Sequence, residues 1–325
     1  MMRQLIALDP KNYSRHRLHE QERDWAETNC YVDVWIELLH SLGLDPIAAL
    51  PFTLAIDFEG DQWTFFKYPP EDLFDLYSLD VLELAIWRPV PLHIEEQLSL
   101  GRPVLVELDS MFLPDTAGSA YQLDHVKTTV GVVEIDIENQ RLGYFHGQGY
   151  YHLHGDDFAN VFHTRGERNP AILSPYCEIV KRRSAAPLQG EELLRASLRL
   201  LTKHLQRLPQ TNPFEKFKAR FEADLQWLAN EPLTTFHQYS FATLRQFGSC
   251  YEVAGAYLGW LQGRGIAGLE QPIAAMRALS TSAKTMQFQL ARAMARKKPI
   301  DLQPFDQMAE HWCSAIQRLK DQFSP

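Results

Sequence analysis

The sequence predicts an α+β N-terminal domain followed by an all-α helical bundle. Runs rich in β-branched and aromatic residues occur in the first half and vanish beyond it. A composition change falls near Arg182 to Gly190, and after it five segments carry apolar residues at helical spacing. Helix first and sheet later, then helices alone, divides the chain into 1–182 and 190–325.

Thr28-Asn29-Cys30 opens the apolar run Tyr31 to His40, a helix that stops near Gly43 and Asp45-Pro46. Phe52 to Ile56 and Trp63 to Lys67 read as strands around the turn Glu59-Gly60-Asp61. Two short helices follow, Glu71 to Tyr77 and one ending near Leu100-Gly101. Pro103 to Asp109 reads as a buried strand, and Val126 to Ile135 with Leu142 to Phe145 as a strand pair. The later helices are Glu191 to Leu208, Pro213 to Asn230, Leu233 to Gln262, Leu269 to Arg296 and Pro304 to Phe323. Pro209, Pro213, Pro232, Gly263-Arg264-Gly265 and Pro299 punctuate them, as in a bundle with loops of ordinary length.

Composition narrows the function. The 325 residues are 45% hydrophobic and 22% charged, ordinary for a soluble globular protein. A formal charge of −9 and a pI near 5.7 argue against general nucleic-acid binding and against an anionic membrane surface. Cys30, Cys177, Cys250 and Cys313 form no CxxC pair, so neither a zinc ribbon nor a redox dithiol is expected. With no apolar run long enough to span a bilayer and no visible signal peptide, the expectation is a cytoplasmic protein with free thiols.

Cys30 is the most informative residue. Thr28 or Asn29 can cap its helix, which puts the thiol in the first turn, where orphan N–H groups and the helix dipole favour a thiolate. His125 heads a strand-like run and shares a face with Lys127 and Thr129 by the period of two. A thiolate at a helix start facing a strand histidine is how papain-like enzymes activate a nucleophile. The plain alternative is a small buried apolar cysteine. For the group that orients His125, His146 at the end of the next strand comes first, then Gln148, with Asn139 in the turn behind them. Asp124 and Asp109 are the carboxylate alternatives. Asp109 ends an apolar strand and either orients a substrate amine or caps a loop. An oxyanion hole would use the Cys30 N–H with Asn29 or Thr28.

Other patterns are less specific. His146, His152, His154 and His163 cluster in sequence, but no carboxylate or thiol stands at a ligand spacing, so no metal is expected. Arg245 and Glu252 lie two turns apart on one helix face, either reaching a cleft as substrate-binding groups or forming an interhelix ion pair. Arg292, Arg296, Lys297 and Lys298 make a basic helix end, which the dipole alone would favour.

Thr28-Asn29-Cys30, Val106 to Pro114 and Asp124 to Gly131 resemble the butirosin-biosynthesis H-type acyltransferases, papain-like proteins with a Cys/His pair. The whole chain is also similar to an uncharacterised bacterial family. That likeness rests on Glu27 to Tyr31, Asp57 to Asp61 with Thr64 to Lys67, Leu113 to Thr116 and Tyr144 to His146. Its members are often encoded near ligases that load amino acids onto carrier proteins. The resemblance implies a papain-like, cysteine-protease-type N-terminal domain and an aminoacyl or acyl transferase. Cys30 matches the nucleophile, His125 the base and Asp109 the aspartate of the Leu-Pro strand. The chain departs from the pattern at Phe145-His146, near which the acyltransferases carry a carboxylate. The implied donor is the phosphopantetheine thioester of an acyl or aminoacyl carrier protein, with no cofactor bound to the chain itself. The implied acceptor is a small-molecule or peptide amine. Carrier proteins are usually acidic, so the basic helix end is their expected dock on an acidic molecule. A cysteine peptidase or amidase on the same scaffold, and a non-catalytic binding protein with a papain-like frame, are the alternatives.

Overall fold

In a computed structural model the described residues are 2–20, 23–165, 173–183, 186–296 and 299–323. The elements in order are β1 (Arg3–Gln4), α1 (Arg17–Glu20), α2 (Cys30–Ser41), α3 (Pro70–Tyr77), β2 (Leu79–Glu83), α4 (Val90–Ser99) and β3 (Val104–Asp109). Then come β4 (Lys127–Asp136), β5 (Arg141–His146), β6 (Gly149–His154), α5 (Asp156–Val161) and β7 (Cys177–Arg182). The C-terminal helices are α6 (Gly190–Leu205), α7 (Pro213–Leu228), α8 (Leu233–Ser240), α9 (Gln246–Gln262), α10 (Glu270–Arg296) and α11 (Gln303–Phe323). The protein is α+β, with an antiparallel sheet in its N-terminal part and helices in its C-terminal part.

Two compact units divide the chain, and they do not follow one cut. The first comprises Met1–Gln21, Cys30–Pro46 and Pro69–Pro187; the second comprises Glu22–Asn29, Ile47–Tyr68 and Leu188–Pro325. No helix among the described residues is long and apolar enough to cross a membrane.

In the first unit, seven strands among the described residues form one sheet in the order β2-β7-β3-β4-β5-β6, with β1 also paired to β4. Val-rich β4 is buried along nearly its whole length, which suits a strand covered on both faces. On one face, Val104, Val106, Leu108, Val130, Val132 and Tyr144 pack with Val90, Ile94 and Leu98 of α4. The other face meets α2, and Gly131 is where they touch. A Cβ on Gly131 would stand 2.8 Å from Val34 Cγ1, so only glycine lets α2 approach this closely. The far end of α2 is closed by a Schellman turn. Gly43 takes φ +72°, its N–H bonds the His40 carbonyl at 2.9 Å, and the Leu44 N–H bonds the Leu39 carbonyl at 2.9 Å.

The second unit corrects two expected strands. Residues 51–55 form a 3₁₀ turn, opened by Pro51 at a position where its fixed φ suits a helix start. Trp63 to Lys67 contributes one isolated bridge, Phe58 to Trp63. Their aromatic content serves packing instead: Phe58 and Trp63 meet one another and Phe214, Phe217 and Phe247 in tilted or edge-on contacts at 5.0–5.7 Å. The expected helix Leu233 to Gln262 is interrupted by a π-helical turn over Phe241–Arg245. β2 and β7, absent from the sequence reading, pair with each other at the sheet edge.

Two stability tests follow from this packing. Gly131→Ala should cost about 1–3 kcal/mol in urea unfolding, because neither Val34 nor the strand can retreat freely. Burial, aided by the His40 charge, holds the His16 pKa down to about 4, and burial with the Arg141 charge does the same for His152. Both histidines are neutral when folded, and the unfolded chain binds their protons near the ordinary value of 6.5. Their contribution is therefore full above about pH 6.5 and is lost progressively as pH falls towards about 4. The urea midpoint should drop between those values, and His16→Asn should make the drop shallower.

Candidate functional site

Cys30 is the first residue of α2 and is partly exposed. Its Sγ accepts a hydrogen bond from the Thr129 N–H of β4 at 3.5 Å. That N–H is available because the β4–β5 ladder begins only at Gly131 opposite Phe145. All four cysteines are free. Burial and the Glu178 charge push the Cys177 thiol up to about 12, and burial raises that of Cys250, so neither suits nucleophilic work.

The period of two places Thr129, Lys127 and Gly131 on the α2 face of β4. Asp109 stands opposite Lys127, and Glu107 opposite Thr129. Lys127 Nζ donates to Glu107 at 2.7 Å. His125, just ahead of β4, places Nδ1 2.5 Å from Asp109 Oδ2, while Asp109 Oδ1 accepts from the Met111 N–H at 3.0 Å. Asp109 thus orients His125 and caps the following 3₁₀ turn at once. Phe112 sits edge-on to the His125 ring at 6.2 Å. Next to Cys30 in sequence, Tyr31 donates to Glu178 at 2.9 Å, and Tyr176 donates to the other oxygen at 2.6 Å. Burial and the Glu178 carboxylate raise the Tyr31 phenol, keeping it protonated as a donor.

Asp109, the partner of His125, lies on the α2 face of the sheet, and Cys30 and His125 are not hydrogen-bonded to each other. His125 precedes Thr129 by four residues, up to about 13 Å of extended chain. Its side chain is 70% exposed.

His146 is a correction. Tyr144 and Val132 pair across β4 and β5 in the α4-side core, so His146, two residues on from Tyr144, shares that side and not the α2 side. Both its ring nitrogens are engaged, Nδ1 with Asp115 Oδ2 at 2.5 Å and Nε2 with Thr128 Oγ1 at 2.8 Å. Tyr144 donates to the other Asp115 oxygen. His146 does not orient His125; Asp109 does. Asp115 was missed because its partner stands 31 residues away on another strand.

Asn29, Arg245 and Glu252 have their partners within the second unit. Asn29 Nδ2 donates to the Phe66 carbonyl at 2.8 Å. Arg245 Nη2 donates to the Ala26 carbonyl at 3.3 Å and to Thr28 Oγ1 at 3.2 Å, and Gln246 reaches the Thr28 carbonyl. Glu252 accepts from Arg23 Nε at 3.3 Å and from the Asp24 N–H at 2.8 Å. Trp25 fills the notch left by Gly248 and bonds Ser280 Oγ at 2.9 Å. Arg245 and Glu252 do not pair with each other; they hold residues 23–28, the approach to Cys30. Arg292 and Arg296 are exposed near the end of α10, and Lys297 and Lys298 lie outside the described residues. His152 bonds Arg141 and Tyr150, and no group of three ligand-type side chains among the described residues could hold a metal.

Two family models match the chain, the DUF1839 N-terminal domain over residues 14–182 and the DUF1839 C-terminal domain over residues 190–321. No curated protein matches it.

Arg245→Ala removes two bonds to the 23–28 segment and should cost about 1–3 kcal/mol. Amide exchange at residues 24–28 should accelerate, with exchange in β3 and β4 unchanged.

Proposed function

The chain belongs to the DUF1839 family, and we propose that it is a cysteine-dependent aminoacyl or acyl transferase with a papain-like N-terminal frame. The observation that carries this reading is the Asp109–His125 pair at 2.5 Å on the sheet face where Cys30 begins α2. Asp109 selects the tautomer with the proton on Nδ1, leaving Nε2 of His125 to exchange protons. The Thr129 N–H supports the sulfur as thiolate before His125 swings in.

In the reaction, Cys30 thiolate adds to the carbonyl carbon of a carrier-protein phosphopantetheine thioester. The carbon–sulfur bond to pantetheine breaks, and that thiol leaves with a proton from the His125 imidazolium. An acceptor amine then attacks the Cys30 thioester, His125 takes the amine proton, and Cys30 departs as thiolate. The exposed Arg292 and Arg296 supply cations for an acidic carrier protein.

A second reading is a binding protein on the same frame. It draws on Cys30 and His125 each having another hydrogen-bond partner. Intact mass after incubation with an aminoacylated carrier protein separates the two. Wild type should gain the acyl mass and Cys30→Ala should not; Asp109→Asn should slow the gain by about 10²-fold or more. Acyl loss to water without an amine would assign a hydrolase. No gain on wild type, with Cys30 inert to alkylation, would leave the binding role.

A further inference from the structure

Beneath Cys30, α2 buries two carboxylates. Asp33 is one turn on and Glu37 about two turns on, so both share the Cys30 side of the helix. Asp33 is 2% exposed and Glu37 is fully buried. Such charges must be paired to be tolerated in an interior. The N-terminal segment supplies the partners. Tyr13 donates its hydroxyl to Glu37 Oε2 at 2.5 Å. The His16 N–H donates to both Glu37 oxygens, at 3.1 and 3.2 Å. The ring of His19, its side chain wholly buried, lies between the two acids. Nδ1 meets Glu37 Oε1, and Nε2 stands 3.2 Å from Asp33 Oδ1.

A neutral imidazole has one donor nitrogen and one acceptor nitrogen. Two carboxylate partners call for two donors, which is the imidazolium. Among the described residues, the titratable or charged groups around this cluster include Tyr13 with Arg15 beside it, His16, and His40 and Asp45 around His16. Burial disfavours a charge on His16, whereas the His19 ring, with a carboxylate at each nitrogen, is placed to carry one.

We propose that His19 is a positioning residue for Cys30: its buried cation offsets Asp33 and Glu37 beneath the thiol, so that the start of α2 accepts a thiolate. A side chain one turn from Cys30 has its Cβ about 5–6 Å away, close enough for an uncompensated carboxylate to oppose negative charge on sulfur. The inference rests on Cys30 being the nucleophile. It adds that nucleophilicity depends on a histidine that never touches substrate.

The test is the rate of iodoacetamide alkylation at Cys30, followed by peptide mass across about pH 5 to 9 on the full chain. Thermal unfolding is recorded alongside. His19→Gln should move the alkylation midpoint up, with a rate at pH 7 about tenfold lower for each unit moved. Asp33→Asn should move the midpoint down, and the double variant should return towards wild type. A depressed wild-type midpoint that His19→Gln leaves in place, while lowering Tm, overturns the inference and spares Cys30 as nucleophile. A wild-type midpoint at the free-thiol value of about 8.5, unmoved by any variant, overturns both. Should His19→Gln not fold, Asp33→Asn decides alone: an unmoved midpoint overturns the inference.

Discussion

The close approach of α2 to β4 at Gly131 sets the terms for the rest of the N-terminal unit. A helix pressed so tightly against a sheet has little water around it, and nine of its twelve residues are buried. Apolar side chains such as Val34, Trp35 and Leu38 gain from that burial. Polar ones must find partners inside. The unit meets this requirement with the chain ahead of α2, whose Tyr13, His16 and His19 converge on Glu37 and Asp33. At the helix start the same contact brings the Cys30 sulfur to a strand N–H that no neighbouring strand uses.

Polar chemistry is divided between the two faces of one strand. Adjacent residues of β4 serve different networks, Thr129 towards Cys30 and Thr128 towards His146 and Asp115. The His125–Asp109 pair opens to solvent on its histidine side, whereas the His146–Asp115 pair is enclosed and bonded on every side that its ring offers. The difference in exposure, 70% against 13% of the histidine side chain, separates a group able to exchange protons with a ligand from one that fastens β4 to β5.

Much of this was legible in the sequence. The Cys30 helix and the strands β3, β4 and β5 appeared because long apolar runs end at clear stops, such as Gly43 and the polar turn after Asp136. The face shared by Lys127 and Thr129 followed from strand alternation alone, whereas His125 lies ahead of the strand. His146 was misjudged because alternation within a strand says nothing of how two strands align; the register of Gly131 with Phe145 decides its face. Residues 52–67 misled because aromatic and β-branched residues also fill gaps between helices, as Trp63 does with Phe214 and Phe247. The clasp on Glu37 left no local trace, since His19 and Glu37 are 18 residues apart in a polar segment.

The threading of the chain through its two units has a bearing on modularity. Glu22–Asn29 and Ile47–Tyr68 flank α2 in sequence, yet each packs with the C-terminal helices. A cut at the composition change near Arg182 would strip Trp63 and Phe58 of their aromatic neighbours and Trp25 of its glycine notch. Neither half is then an exchangeable cassette. Recombination that swapped one half for that of a distant relative would have to match those ring contacts as well, so the two halves are bound to change in step.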